Sequence, residues 1–154
     1  MTLKTLPPWR EKNVELEILK KLNARSGVVH KIDRGGRPLR TATGKTIMIP
    51  FKNEFAPKGM SDIFYLENGV PFFFEVKNPA RIKWYSKKLK EGTLKMALAT
   101  NPRYKTEMHQ WNFLETVIEY GGAFGGYVSS FRGVEEILAL RKSEIYLECF
   151  ENST

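Results

Sequence analysis

Cysteine and histidine are scarce in this chain of 154 residues, which contains one cysteine, Cys149, and two histidines, His30 and His109. A single cysteine cannot form a disulfide within the chain, so we expect a reducing, cytoplasmic environment. One cysteine and two distant histidines do not have the spacing of a zinc site. No Ser or Cys stands in a recognisable nucleophilic arrangement. The sequence thus argues against disulfide scaffolds, zinc chemistry and covalent catalysis.

Long apolar runs are absent as well. No segment offers the roughly 20 apolar residues that a membrane-spanning helix needs, and residues 1–9 lack the apolar stretch of a signal peptide. We therefore expect an intracellular protein with no membrane partner. The length suits one domain, residues 1–154, with a core that needs no metal or disulfide to support it.

Acidic residues are outnumbered, since 25 Lys and Arg against 17 Asp and Glu give a formal net charge of +8. Residues 78–105 contain eight basic residues and one acidic residue, so this segment holds seven of the eight excess charges. Such an excess indicates a polyanionic partner, although a run of lysines can also be a solvated helix face. Two patches are predicted to bind a phosphate backbone: Arg81, Lys83, Lys87 and Lys88, and Arg34, Arg37, Arg40 and Lys45.

The strongest local signal is Asn68-Gly69, which lies between two runs rich in aromatic and β-branched residues. Asn-Gly favours the type I′ turn of a tight β-hairpin, because both residues tolerate a positive φ. A two-residue turn fixes the register of the two strands. Pro71 then falls at a position that donates no ladder hydrogen bond, which supports this register. The register sets Asp62 opposite Glu75.

Two opposed carboxylates have an electrostatic consequence. Cα atoms of such a pair are about 4.5 Å apart, so the like charges repel unless something offsets them. Lys77 shares the face of Glu75, while Phe74 and Val76 point into the core. Two carboxylates beside an ammonium group form an oxygen-rich site that suits magnesium or manganese. A solvated strand face with one Glu–Lys pair is the alternative interpretation.

The remaining pattern predicts an α/β fold with a mixed central β-sheet flanked by helices. Residues 33–50, rich in Gly, Arg, Thr and Pro, are predicted to be a long turn or loop. Within them, Thr43-Gly44-Lys45-Thr46 looks like the end of a phosphate-binding loop, but Leu39 replaces its first glycine, so no nucleotide cofactor is expected. Apolar periodicity predicts helices at 9–23, 106–120 (N-cap Thr106) and 134–140, and strands at 28–32, 123–129 and 145–150.

The order of elements, with Asp62, then Glu75-Val76-Lys77, then Gln110 on a helix, resembles the PD-(D/E)XK nuclease superfamily. The segments from Lys58 to Ile63 and from Phe73 to Lys77 are similar to the core of VRR-NUC domains. His109-Gln110, opening a helix that ends at Gly121-Gly122, resembles the RecU-type Holliday junction resolvases. The likeness covers roughly residues 10–140 and implies a restriction-endonuclease-like core. Residues 78–105 have no counterpart in a minimal VRR-NUC domain and are interpreted as a basic insertion.

The resemblance implies roles for individual residues. Asp62 and Glu75 would bind a catalytic Mg²⁺, for which Mn²⁺ would substitute, with Val76 as a further metal-binding position. Lys77 would orient the attacking water or stabilise the charged phosphorane, and Gln110 would support the site. A glutamate of the first helix is also expected near the metal. Both Glu11 and Glu15 qualify, and the choice between them stays open.

The leading hypothesis is a magnesium-dependent, structure-selective DNA endonuclease, specifically a Holliday junction resolvase of phage, archaeal or bacterial type. A homodimer is expected, because a four-way junction offers two symmetry-related cuts and each chain carries one site. Two alternatives stay open. One is a sequence-specific nuclease of restriction or homing type on the same fold, and the other is a non-catalytic DNA-binding module whose acidic residues are structural.

Overall fold

The computed structural model describes residues 9–32, 36–40, 42–50 and 59–150, with only the backbone described for 36–40 and 46–50. A 3₁₀ turn at Pro102–Tyr104 precedes the fourth helix. No helix in these ranges combines the length and the apolar character needed to cross a bilayer. The elements are α1 (Glu11–Asn23), β1 (Val28–Lys31), β2 (Gly36–Arg40), β3 (Thr46–Pro50), β4 (Ile63–Glu67), β5 (Val70–Val76), α2 (Pro79–Glu91), α3 (Leu94–Thr100), α4 (Lys105–Tyr120), β6 (Phe124–Val128), α5 (Phe131–Leu140) and β7 (Tyr146–Leu147).

Five strands form one mixed sheet in the order β1-β4-β5-β6-β7. β4 pairs antiparallel with both β1 and β5. β6 pairs parallel with both β5 and β7. Helices cover both faces, with α1 and α5 packed in one core cluster and α2, α3 and α4 in the other. The predicted α/β fold with a mixed sheet flanked by helices is therefore confirmed.

β5 lies in the middle of the sheet and is buried on both faces. Phe72, Phe74 and Val76 pack against α1 and α5, whereas Phe73 packs against α4 through an edge contact with Phe113, with 5.2 Å between ring centroids. A strand covered on both faces gains from apolar residues at every position, which explains the unbroken run of three phenylalanines.

The hairpin of β4 and β5 has the predicted turn and register. Asn68 and Gly69 both have positive φ, 51° and 76°, and the ladder pairs Glu67 with Val70 through to Ile63 with Phe74. The prediction is wrong at the open end, however. The ladder stops one pair before Asp62 and Glu75, because Asp62 lies in a bend that precedes β4.

The prediction of a loop over residues 33–50 is also wrong, because β2 and β3 form a separate antiparallel hairpin there. Gly44 in its turn has φ 82°, so Thr43-Gly44-Lys45-Thr46 contributes to a hairpin turn. The two strands of a hairpin pair their backbone N–H and C=O groups with each other. Such pairing does not need the alternation of apolar and polar residues by which a half-buried strand is predicted.

The basic segment is structured, and it contributes to the core. α2 begins at the Asn78 cap, whose side chain accepts a hydrogen bond from the Arg81 amide at 2.7 Å, and it ends at Gly92, whose φ is 73°. Ile82 and Tyr85 of this helix are fully buried against the sheet. One helix face therefore packs while the lysines remain on the other side.

The start of α4 differs from the prediction. Thr106 was expected as the N-cap, but the helix begins at Lys105 with Tyr104 in the cap position and no side-chain cap hydrogen bond. The 3₁₀ turn at Pro102–Tyr104 leads directly into the helix, and Asn101 caps that turn instead. His109, expected at the helix entry, consequently lies in the second turn of α4.

Gly125 and Gly126 of β6 lie where the central strands pack closely. A Cβ atom at Gly126 would lie 2.0 Å from the Tyr146 carbonyl oxygen on β7, and one at Gly125 would lie 2.3 Å from that of Phe73 on β5. Both distances are too short for any side chain. The central strands can approach at these points only because the residues are glycine.

An ion pair between exposed Arg25 and buried Glu67 links the segment after α1 to the hairpin. Arg25 donates to both carboxylate oxygens of Glu67, each at 3.0 Å, and the Tyr65 hydroxyl donates to Oε1 at 2.8 Å. These hydrogen bonds, that of Arg25 foremost, hold the pKa of Glu67 below its usual range. They favour the charged form of the carboxylate in the folded protein.

A lowered pKa in the folded state makes the free energy of unfolding depend on pH. The contribution of Glu67 is present above its unfolded pKa of about 4.3 and is lost as the pH falls through the lower folded pKa. We expect Glu67→Gln to remove this part of the acid sensitivity, measured by urea unfolding from about pH 7 to about pH 3.5. Glu17→Gln, which breaks only the exposed pair with Lys21, should leave the acid sensitivity as in the wild type. A wild-type slope in Glu67→Gln would contradict the prediction.

Candidate metal centre and its surroundings

One edge of the sheet gathers the residues that the sequence singled out. β5 and β6 end there side by side, and the Lys77 amide donates to the Val128 carbonyl at 3.0 Å. β4 is antiparallel to β5, so it begins at this edge, directly after Asp62. The Ile32 amide, just past β1, donates to the Asp62 carbonyl at 2.8 Å. In open α/β sheets, the edge at the carboxyl ends of parallel strands is where ligands usually bind.

Three carboxylates meet at this edge and are called here the acidic cluster. Glu11 and Glu15 of α1 and Asp62 each offer an oxygen, and these atoms lie within 4.8 Å of one another. The two glutamates are one helical turn apart and so share a face of α1. Glu11 is exposed, whereas Glu15 and Asp62 are partly buried. Both candidates for the first-helix acid are thus brought to Asp62.

The acidic cluster is held in place by hydrogen bonds and an ion pair. Asp62 Oδ2 accepts a hydrogen bond from the Val76 amide at 2.9 Å, which anchors the carboxylate to the end of β5. Lys31 Nζ lies 3.5 Å from Glu15 Oε2 and supplies a counter-charge. Sequence reasoning missed Lys31, whose one signal was its place at the end of a predicted strand. Asp62 and Glu15 are therefore restrained before any ligand arrives.

Glu75 is buried, with 1% of its surface exposed, and it is not a member of the acidic cluster. Its Oε1 lies 4.0 Å from Lys77 Nζ, so the predicted Glu75–Lys77 pairing is present. Asp62 forms a cluster with Glu11 and Glu15, and the regular ladder of the hairpin stops at Ile63 and Phe74. The reason is the bend at Asp62, which ends the regular pairing.

Val76, predicted to bind the metal, gives its amide hydrogen to Asp62 and buries its side chain in the core. Its carbonyl oxygen is the one group that can coordinate an ion.

Gln110 on α4 lies behind the segment that carries Asp62. A Cβ atom at Gly59 would be 2.3 Å from the His109 carbonyl oxygen and 2.5 Å from the Gln110 amide nitrogen. Gly59 also has φ 77°, so this contact requires glycine. Gln110 is 2% exposed. Among the described residues, neither its side-chain oxygen nor the buried Ser61 hydroxyl has a hydrogen-bond partner.

Arg81, a predicted DNA contact, is enclosed by its own helix and the 3₁₀ turn. Its guanidinium carbon lies 4.6 Å from the centre of the Trp84 ring and 4.5 Å from that of Tyr104. Glu107 Oε1 lies 3.7 Å from the guanidinium. These contacts hold Arg81 in a cation–π arrangement. Tyr85 of the same helix is fully buried and so cannot stack on a base.

The other predicted DNA contacts differ in their surroundings. Lys88 pairs with Glu91 at 3.6 Å, whereas Lys83 and Lys87 are exposed. Lys45 is exposed in the β2–β3 turn. Arg37 and Arg40 lie on β2, where only the backbone is described, and Arg34 lies outside the described residues.

Comparison of the chain with family models, curated proteins and solved structures gives no match. The resemblance to PD-(D/E)XK nucleases therefore rests on the residues of this chain, and the chemistry of the sheet edge carries the functional proposal.

Proposed function

We propose that this protein is a magnesium-dependent endonuclease of the PD-(D/E)XK type that cuts branched DNA such as four-way junctions. The observation that carries the proposal is the acidic cluster of Glu11, Glu15 and Asp62 at the sheet edge. Glu75 at the end of β5 and the adjacent Lys77 lie at the same edge. The proposal includes a restriction-endonuclease-like core and a homodimer, in which two sites serve two symmetry-related cuts.

The donor set fits a hard divalent cation. Three carboxylates within 4.8 Å offer only oxygen ligands, which Mg²⁺ and Mn²⁺ prefer over nitrogen or sulfur. Like charges at this separation repel one another, and a divalent cation held by Asp62 and the α1 glutamates would relieve that repulsion. When bound, such an ion polarises the scissile phosphate and lowers the pKa of the attacking water.

The protein residues supply orientation and charge. The Val76 amide fixes Asp62, and Lys31 restrains Glu15, so little reorganisation accompanies the reaction. Lys77, whose side chain is 21% exposed beside buried Glu75, provides a cation for the negative charge that develops on the phosphate. The backbone of Gln110 on α4 packs against Gly59, which precedes Asp62 in the chain, and so supports the segment that carries this carboxylate.

DNA is the proposed substrate because the protein carries a net charge of +8 and places exposed lysines next to the sheet edge. α2 begins two residues after Lys77, and Lys83 and Lys87 on it are exposed. Contacts of this kind grip phosphates without reading sequence, and they weaken steeply with added salt. Such contacts favour selection of DNA by shape.

The test compares labelled four-way junction, flap, single-stranded and duplex DNA in the presence of Mg²⁺. We expect the wild type to cut the junction, and Glu75→Ala to cut it at least about 100-fold more slowly, since metal and charge stabilisation supply several kcal/mol. Junction binding should persist in the variant because the lysines remain. Glu17→Ala, an exposed acid of α1 paired with Lys21, is the matched control and should cut normally. Absence of metal-dependent cutting on every substrate would contradict the proposal.

A second candidate is a non-catalytic DNA-binding module. It is favoured by the ion pairs of Lys31 with Glu15 and of Lys77 with Glu75, which also suit a purely structural charge network. This candidate predicts salt-dependent binding of DNA with no cutting. Cutting of linear duplex at one fixed sequence would instead indicate a nuclease of restriction or homing type.

A further inference from the structure

A groove lies between α2 and residues 147–150, at the end of β7 and just after it. We call it the lysine groove. Its volume is about 520 Å³. Lys83, Ser86, Lys87 and Lys90 form the α2 wall, and residues 147–150 form the opposite wall.

The three lysines form one row on α2. Their positions 83, 87 and 90 follow helical spacing, and the row spans about 10 Å along the helix axis. All three side chains are exposed, and none is within ion-pair distance of a carboxylate among the described residues. Arg81 and Lys88 of the same helix do have such partners. The row therefore holds cations of α2 that are available to an external anion.

Among the described residues that line the groove, Glu148 is the one acid, and its carboxylate is already hydrogen-bonded. Its carboxylate accepts hydrogen bonds from the Ser129 amide at 2.9 Å and from the hydroxyls of Ser129 and Ser130. Glu148 is only 2% exposed, and Ser130 caps the N-terminus of α5, whose dipole favours a negative charge there. The groove surface is therefore positive.

Phe150 adds an aromatic ring to this positive surface. The ring is partly exposed, and its centre lies 5.5 Å from Lys83 Nζ. Cations that follow a backbone, together with an aromatic face, are the combination that binds single strands, because an unpaired base can stack on the ring. Bases inside a duplex already stack on one another and offer no free face.

The lysine groove opens at the same sheet edge as the acidic cluster. β7 is parallel to β6 and ends beside it, so Cys149 and Phe150 lie at the edge where β5 ends. β4 and β7 are three strand spacings apart in the sheet, which is about 14 Å. The acidic cluster and the Phe150 end of the groove therefore lie at the same end of the sheet, with α1 and α2 covering its opposite faces.

We propose that the lysine groove binds the phosphate backbone of a single-stranded DNA segment through Lys83, Lys87 and Lys90, with a base stacked on Phe150. The identity of the polyanion as DNA rests on the proposed function. Binding in the groove itself needs neither the acidic cluster nor a metal.

The first test measures binding of a short single-stranded oligonucleotide without divalent metal as a function of salt. Lys87→Gln/Lys90→Gln removes two contacts, so the slope of log K against log salt should become shallower by about 1.4. The control Lys12→Gln/Lys20→Gln makes the same charge change on exposed positions of α1 and should keep the wild-type slope. An unchanged slope in the groove variant, or an equal change in the control, would overturn the proposal.

The second test uses the single cysteine as a reporter. Cys149 is exposed and lines the groove, so bound oligonucleotide should slow its reaction with a thiol reagent in the wild type, and a duplex of the same length should slow it less. Equal protection by duplex would overturn the single-strand assignment. Normal junction cutting with no groove binding would reject the groove alone, whereas groove binding without any cutting would reject the nuclease alone.

Discussion

Asp62→Asn is expected to lower metal-dependent junction cutting at least about 100-fold, because it removes one of three carboxylates that would hold the ion. Asparagine has nearly the same shape, and its side-chain oxygen can still accept the hydrogen bond that Val76 donates to Asp62. The fold should therefore remain intact. Cutting rate and Mn²⁺ binding, the latter by calorimetry, are the measurements.

The same variant separates a metal centre from a structural charge network. Carboxylate oxygens of Glu11, Glu15 and Asp62 lie within 4.8 Å of one another, and their repulsion opposes folding when no metal is present. Asp62→Asn should thus match or exceed the wild type in free energy of unfolding in the presence of a chelator. A clear loss of stability there would mean that the acidic residues hold the structure together, as the DNA-binding module requires.

Parallel variants identify which glutamate of α1 serves the site. Glu11→Gln and Glu15→Gln change the same group one turn apart. Glu15 is partly buried and held by Lys31, whereas Glu11 is exposed. We expect the larger loss of cutting from Glu15→Gln, because its carboxylate is the more restrained of the two. Equal, wild-type cutting by both variants would contradict a role for α1 in the metal centre.

Glu148→Ala is expected to lower the free energy of unfolding by about 3–5 kcal/mol. The substitution leaves the buried Ser129 amide and two serine hydroxyls without their acceptor. It also opens a cavity beside Gly133, where a Cβ atom would lie 2.6 Å from Glu148 Oε1. For a domain of this size, the melting temperature should fall by about 6–20 °C.

Two comparisons make the stability prediction specific. Glu148→Gln keeps the volume and one acceptor, so it should lose less stability than the alanine variant. Glu144→Ala, an exposed acid nearby, should change the free energy of unfolding by no more than about 0.5 kcal/mol. Wild-type melting of Glu148→Ala would show that the contacts of Glu148 with the end of β6 and the start of α5 do not stabilise the fold.

Local patterns predicted those parts of the fold that depend on neighbouring residues. Asn68-Gly69 sets the turn through its own backbone preferences, and the turn then fixes the register of β4 and β5. Apolar spacing likewise located α1 and α4, because the face that packs repeats with the helix. Some element boundaries differ from those that the sequence predicts. The helix α4 has its N-cap at Tyr104 and not at Thr106, because a 3₁₀ turn leads directly into it. β2 and β3 were not predicted, because their residues do not alternate between apolar and polar.

The sequence by itself determined the hairpin, the mixed sheet flanked by helices, the excess of positive charge and the acids worth examining. Only the tertiary structure decided which of those acids meet. Asp62 joins Glu11 and Glu15 because α1 packs beside the sheet edge, while Lys31 and Val76 restrain them. The lysine groove likewise exists only because β7 ends next to α2. Contacts between elements distant in the chain depend on how whole faces pack, and no local pattern of residues encodes that packing.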